Sequence, residues 1–238
     1  MRPILLFAWL MLPIGFGAYH YGPGQDRLIL DDAATELAAG EEDLAAQQPA
    51  AAVKQFDAAL ALIPEERTAE TRRVRLERAK ARMQAQQLPA AYDELTILVD
   101  EMTADSDSNP ELLADARQSL ASAQYFLTWL MRLEGASRDL WEPEIEAARQ
   151  NYRLLAEQAD ASDDEQAAEG HRKDLEAAIR LARMDLSDLQ ALAIPSQCKG
   201  CCSGQCQCKG KGKKKSKKDG DKKARGAGSG PPPDGRGS

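Results

Sequence analysis

The sequence predicts an all-α fold: an amino-terminal membrane helix, then stacked antiparallel helical hairpins, then a disordered carboxyl-terminal tail. Three observations predict it. Aromatic residues make up 5% and charged residues 29% of the 238, and alanine is abundant through residues 33–193, the mix expected of packed helices rather than sheets. Apolar residues between positions 27 and 193 recur at three- and four-residue spacing, which gathers them on one side of a helix. Short polar breaks rich in Pro, Asp, Asn and Ser divide that stretch into about six helices.

The first element is apolar. Between Pro3 and Gln25 there is no Asp, Glu, Lys or Arg, and Ile4 to Tyr19 is almost wholly hydrophobic. Sixteen helical residues span about 24 Å at roughly 1.5 Å each, against a hydrocarbon core of about 30 Å, and Tyr19, His20 and Tyr21 suit the interface. Two readings stay open. A retained anchor gains from the aromatic pair and from the Gly22-Pro23-Gly24 break. A cleaved signal peptide gains from Arg2, the length of the apolar run, and Gly15 and Gly17 ahead of Ala18. Both export the body, because Arg2 and the terminal amine precede the segment while Asp26, Asp31 and Asp32 follow it. The expected location is a single-pass membrane protein with its body on the periplasmic or extracytoplasmic side, or a secreted protein after cleavage.

Residues 27–195 form the expected helical domain. Its first hairpin is Asp31–Gln47 with Pro49–Ile63, and its second is Thr68–Gln87 with Pro89–Met102. In the turn DSDSNP, Asn109 can cap a third helix that has Pro110 at its first position and Glu111 near its positive end. Leu113, Ala116, Leu120, Ala123, Leu127 and Leu130 give that helix one apolar seam. Ile145, Ala148, Tyr152, Leu155 and Ala159 repeat the pattern on the next helix. A last helix is expected to carry the seam from Leu175 to Ala193, with Ser162 and Glu165 as its capping box and Pro195 as its stop.

In the first hairpin, Gly40, Ala52, Phe56, Ala59 and Pro64 stand at positions 8, 20, 24, 27 and 32 counted from Ala33. Ala33 to Glu66 thereby resembles a tetratricopeptide repeat, in which small residues let two helices approach, an aromatic fills the groove between them and proline ends the second helix. Thr71 to Asp105 is similar with substitutions: Ala79 replaces the glycine, Leu95 the aromatic, and Thr103 the closing proline, at an offset of 39 residues. The resemblance implies a right-handed stack with a concave face lined by the first helix of each hairpin, used to hold extended segments of other proteins. At least three such units usually make a stable stack, so the helices after Pro110 would supply a third unit and a cap.

Arg72, Arg75, Arg78 and Arg82 form a basic stripe on the first helix of the second hairpin. If this helix lines the concave face, part of the stripe can clamp carboxylates of a protein partner; otherwise it is a solvated face paired with Glu70, Glu77 and their neighbours. Catalysis is not expected. His20 and His171 are far apart, and the chain has no phosphate-binding glycine loop, nucleophile elbow or zinc-protease motif.

The end of the chain differs in kind from its body. Residues 1–198 carry 19 Lys and Arg against 35 Asp and Glu, whereas residues 199–238 carry 12 against 3, a reversal hidden by the net charge of -7. All the cysteines, Cys198, Cys201, Cys202, Cys206 and Cys208, fall within residues 196–208. Two chemistries fit them: chelation of a soft ion such as zinc or copper(I), or disulfides in an oxidising compartment with one thiol left for an intermolecular link. The spacing matches no structural zinc motif, so no cofactor is assigned. Residues 209–238 are basic, then rich in Gly, Pro and Ser, and are expected to be disordered. Such a tail suits polyanions, but no aromatic interleaves its lysines, which argues against sequence-specific nucleic-acid binding.

The function expected is a non-enzymatic, membrane-tethered scaffold for protein–protein interaction on the exported side. The competing reading makes the tail the active part, binding metal or polyanion, with the helices as its stalk.

Overall fold

The computed structural model describes residues 9, 11–13 and 23–192, with the side chains of 23–27 left aside. The cysteine cluster, the basic tail and most of the apolar segment 4–19 lie outside the described residues. Every regular element among the described residues is helical. They are α1 (Pro23–Ala45), α2 (Pro49–Leu62), α3 (Thr68–Gln84), α4 (Leu88–Ala104), α5 (Pro110–Leu133), α6 (Arg138–Ala161), α7 (Glu165–Arg183) and α8 (Leu186–Ala191). Among the described residues no helix is long and apolar enough to cross a membrane.

From α1 to α7 each helix packs mainly on the one before it and the one after it in the chain. Connections of three to five residues between packed neighbours make them antiparallel. The result is a line of three apolar cores rather than one. The first joins α1, α2 and α3 through Leu44, Phe56 and Val74; the second joins α3, α4 and α5 through Leu76, Leu95 and Leu120. The third joins α5, α6, α7 and α8 through Trp129, Tyr152, Leu181 and Leu189. Helices α3 and α5 are each buried on two sides, because alternate apolar residues of one helix enter different cores. Val74 and Ala81 point to the first core, Leu76, Ala79 and Met83 to the second.

Four of the connections share one backbone design. After α1, the N–H of Gln48 donates to the carbonyl of Asp43 and that of Gln47 to Leu44, with Gln47 at φ 61°. This is the Schellman arrangement, in which a left-handed residue closes the helix and satisfies its last carbonyls. The same bonds recur around Gln86 (φ 63°), Gly135 (φ 76°) and Asp163 (φ 58°). The links after α2 and α4 differ: Ile63 and Asp105 leave their helices in extended conformation. Tight turns therefore close the pairs α1–α2, α3–α4 and α5–α6, extended links join pair to pair, and α7 covers the last pair.

The packing of the first two pairs follows the spacing noted in the sequence. Ala52, Phe56 and Ala59 are fully buried, as are Ala79, Ala91, Leu95 and Leu98 at the equivalent positions 39 residues on. A Cβ on Gly40 would lie 2.5 Å from the Phe56 ring, so only glycine lets α1 and α2 meet at this point. Pro64 stands just past the end of α2.

Several expected boundaries change. α1 begins at Pro23 rather than Asp31, and α3 stops at Gln84 because Ala85 to Gln87 form the turn. Asn109 caps α5 as expected, its Oδ1 accepting from the N–H of Leu112 at 2.9 Å. The capping box does not form at the start of α7. Asp163 takes the left-handed position of the turn, Ser162 ends α6, and Asp164 becomes the cap, accepting from the N–H of Ala167 at 3.0 Å. The single last helix is two helices. It breaks at Met184 and Asp185, both extended, where the Arg132 guanidinium takes the carbonyls of Leu181 and Met184. That contact turns α8 back so that Leu189 is buried against α5.

Candidate functional site

Helices α1 and α3 are the first members of consecutive pairs, and a groove opens between them. On α1, Leu30, Ala33, Ala34 and Leu37 recur every three or four residues and form one wall. Ile63 closes one side where the chain leaves α2, and Glu70, Arg73 and Val74 form the wall on α3. The enclosed space is about 200 Å³. Small residues at 33 and 34 leave it unfilled. A drug-sized ligand site usually exceeds about 300 Å³, so this groove suits one or two aliphatic side chains rather than a cofactor.

The corresponding α3–α5 junction is closed. Lys80 on α3 donates to Asp115 on α5 at 2.6 Å and to Glu77 at 3.0 Å. Burial disfavours the Lys80 charge, yet the carboxylates of Glu77 and Asp115 more than offset it and hold its pKa above the ordinary lysine value. Glu41 occupies the equivalent place on α1, 39 residues earlier, and makes no ion pair among the described residues. Among the described residues no ion pair ties α1 to α3.

The four arginines of the stripe face away from this groove. Arg78 donates three bonds to Glu94, the shortest 2.5 Å, and one to Asp57 at 2.6 Å. Arg82 reaches Glu94 at 2.8 Å, and Arg75 lies 3.8 Å from Glu94 and 2.6 Å from Glu101. Arg72 binds Asp105 at 2.6 Å. Three guanidiniums thus converge on one carboxylate that is only 7% exposed, and Asp57 extends the network from α4 through α3 to α2. The partners of these four lie across helices and not along α3, where the pairs are Arg67–Glu70 at 3.5 Å and Lys80–Glu77 at 3.0 Å. The Arg72 guanidinium, helped by the Asp107 N–H, holds the Asp105 carboxyl below its ordinary pKa.

Arg73 is different. It is exposed, it lines the groove, and no carboxylate among the described residues lies within 4.0 Å of it. Sequence reasoning passed over it because it adjoins Arg72 and breaks the three-four spacing of the stripe. The α3 face that carries Glu70, Arg73, Val74 and Glu77 is the signal that could have found it.

Of the two histidines, His171 is half-buried on α7, and burial lowers its pKa against the opposing charge of Asp164. Its Nδ1 has no hydrogen-bond partner among the described residues. His20 lies outside the described residues. Among the described residues no three His, Cys, Asp or Glu side chains stand together as a metal site. The groove offers one carboxylate, one guanidinium and apolar walls, which is the chemistry of a binding surface.

Among the described residues the fold is a stack of helical hairpins with an open groove between α1 and α3. Comparison with known proteins places it no further: no family model, curated protein or solved structure matches the chain.

Proposed function

We propose that the chain is a helical-hairpin scaffold of tetratricopeptide-like design that holds a segment of a protein partner between α1 and α3. The open apolar groove carries this reading. A junction that its neighbour closes with an ion pair is left unfilled here, and its volume matches aliphatic side chains. The same turn at Gln47, Gln86 and Gly135, used again at Asp163 to lead into α7 as the cap, supports a repeated unit. The apolar run 4–19 would tether the scaffold to the membrane and place the groove on the exported side.

Photocrosslinking in intact cells tests the groove. A photoreactive residue in place of Ala34, which is exposed in the groove wall, should capture one discrete partner that the same probe at Arg153 on α6 does not. Equal labelling from both positions, or no adduct at position 34, would sink the proposal. For the tether, a mature protein beginning at Ala18 would replace the anchor with a cleaved signal.

A further inference from the structure

We infer that the segment held in the groove carries a carboxylate beside an aliphatic side chain, with Arg73 as the residue that selects for the acid. This deepens the scaffold reading and rests on it. The argument begins with the charges of α3. Arg72, Arg75, Arg78 and Arg82 each spend their charge on carboxylates of the fold, and Lys80 spends its charge on Glu77 and Asp115. Arg73 is the cation of this helix left without a carboxylate among the described residues, and it stands in the wall of the apolar groove.

Glu70, the carboxylate of the same wall, is engaged by Arg67 at 3.5 Å. Among the described residues no carboxylate pairs with the Arg73 guanidinium in the groove wall, and its planar donor fork matches a carboxylate in two-point fashion. A ligand with only apolar groups would leave that donor unused. A basic ligand would bring like charge against it. An aliphatic side chain between the walls of Leu30, Leu37 and Ile63, followed by Asp or Glu at the rim, satisfies both parts of the site.

The test uses the full-length protein and three capped heptapeptides that differ only in a central glutamate, glutamine or lysine placed between two leucines. Methyl resonances of Leu30, Leu37 and Ile63 report occupancy of the groove. The glutamate peptide should bind about three- to fivefold more tightly than the glutamine peptide, the scale of an exposed ion pair. Arg73→Ala should erase that difference, and Arg73→Glu should shift preference to the lysine peptide. Because Arg73 makes no ion pair among the described residues, Arg73→Ala should melt with the parent, and Arg73→Glu, one turn from Glu70 and Glu77, slightly below it.

Equal affinity for glutamate and glutamine overturns the inference, as does a glutamate preference that survives Arg73→Ala. So does a failure of every peptide to move the groove methyls, or a position-34 adduct formed with a second copy of this chain. The two proposals fail separately. A missing adduct at position 34 removes the scaffold reading, whereas an adduct to a segment without acidic residues removes only the role of Arg73.

Discussion

The α1–α3 and α3–α5 junctions occupy equivalent places in the stack, yet one is open and apolar while the other is closed by Lys80 and Asp115. Both use the same neighbour, α3, and the difference lies in what each partner helix presents. α1 offers Ala33, Ala34 and a Glu41 that makes no ion pair among the described residues; α5 offers Asp115 within reach of a lysine that also holds Glu77. A few side chains therefore decide whether a junction of this repeated backbone is open or closed: charge closes the one, and missing bulk leaves the other open.

The largest expected effect comes from removing the charge that holds α3 in place between the two junctions. Glu94→Gln keeps the shape of the side chain but leaves Arg75, Arg78 and Arg82 facing one another around a buried neutral group. Loss of one partner from a fully buried pair costs about 3–5 kcal/mol; because these arginines reach solvent, about 2 kcal/mol is expected, read as a lower urea midpoint. A change below about 0.5 kcal/mol would mean that the network is ornamental and that apolar packing alone sets the position of α3.

Next in size is the close approach beneath the open junction. Gly40→Ala must displace the buried Phe56 ring, an overpacking cost of about 1–3 kcal/mol that helix propensity offsets by only about 1. Gly170→Ala is the matched control. It sits inside α7 with nothing within 4 Å of the added methyl, so it should stabilise by about 0.5–1 kcal/mol. Opposite signs in thermal melts of the two variants would support the packing argument; two gains would show that Phe56 yields freely.

The smallest effect bears most directly on the comparison. Lys80→Met removes the strap to Asp115 while keeping the aliphatic stem, and should cost no more than about 1 kcal/mol. It should also raise hydrogen exchange in the first turns of α5 and leave α1 unchanged. Faster exchange in α1 instead would show that the two junctions are coupled through α3.

Much of the fold was legible in the chain because its signals are local. Asn109-Pro110 marks the start of α5, and the positions from Gly40 to Pro64 describe contacts within one hairpin. What could not be read depended on distant partners. The spacing of Arg72, Arg75, Arg78 and Arg82 identified a face of α3 but not its surroundings, since Asp57, Glu94, Glu101 and Asp105 are 12 to 33 residues away from the arginines they bind. The break at Met184 was hidden for the same reason: its cause, Arg132, belongs to α5. α3 ran three residues too long in the sequence reading because glutamine carries no signal for a left-handed turn, although Gln47 and Gln86 both adopt one. The groove itself follows from what α1 lacks opposite α3, and a pattern search detects what is present.

Two helices, α3 and α5, each belong to two apolar cores at once. A molecule built this way has no centre whose loss dissolves the whole. Its cooperativity runs from neighbour to neighbour, like links that can open only in order from an end. α1 packs mainly on α2, so an opening that begins at this end should travel inward and halt first at α3. The α1–α3 groove lies in the stretch that such an opening crosses first, so a segment held there, as proposed, would oppose it.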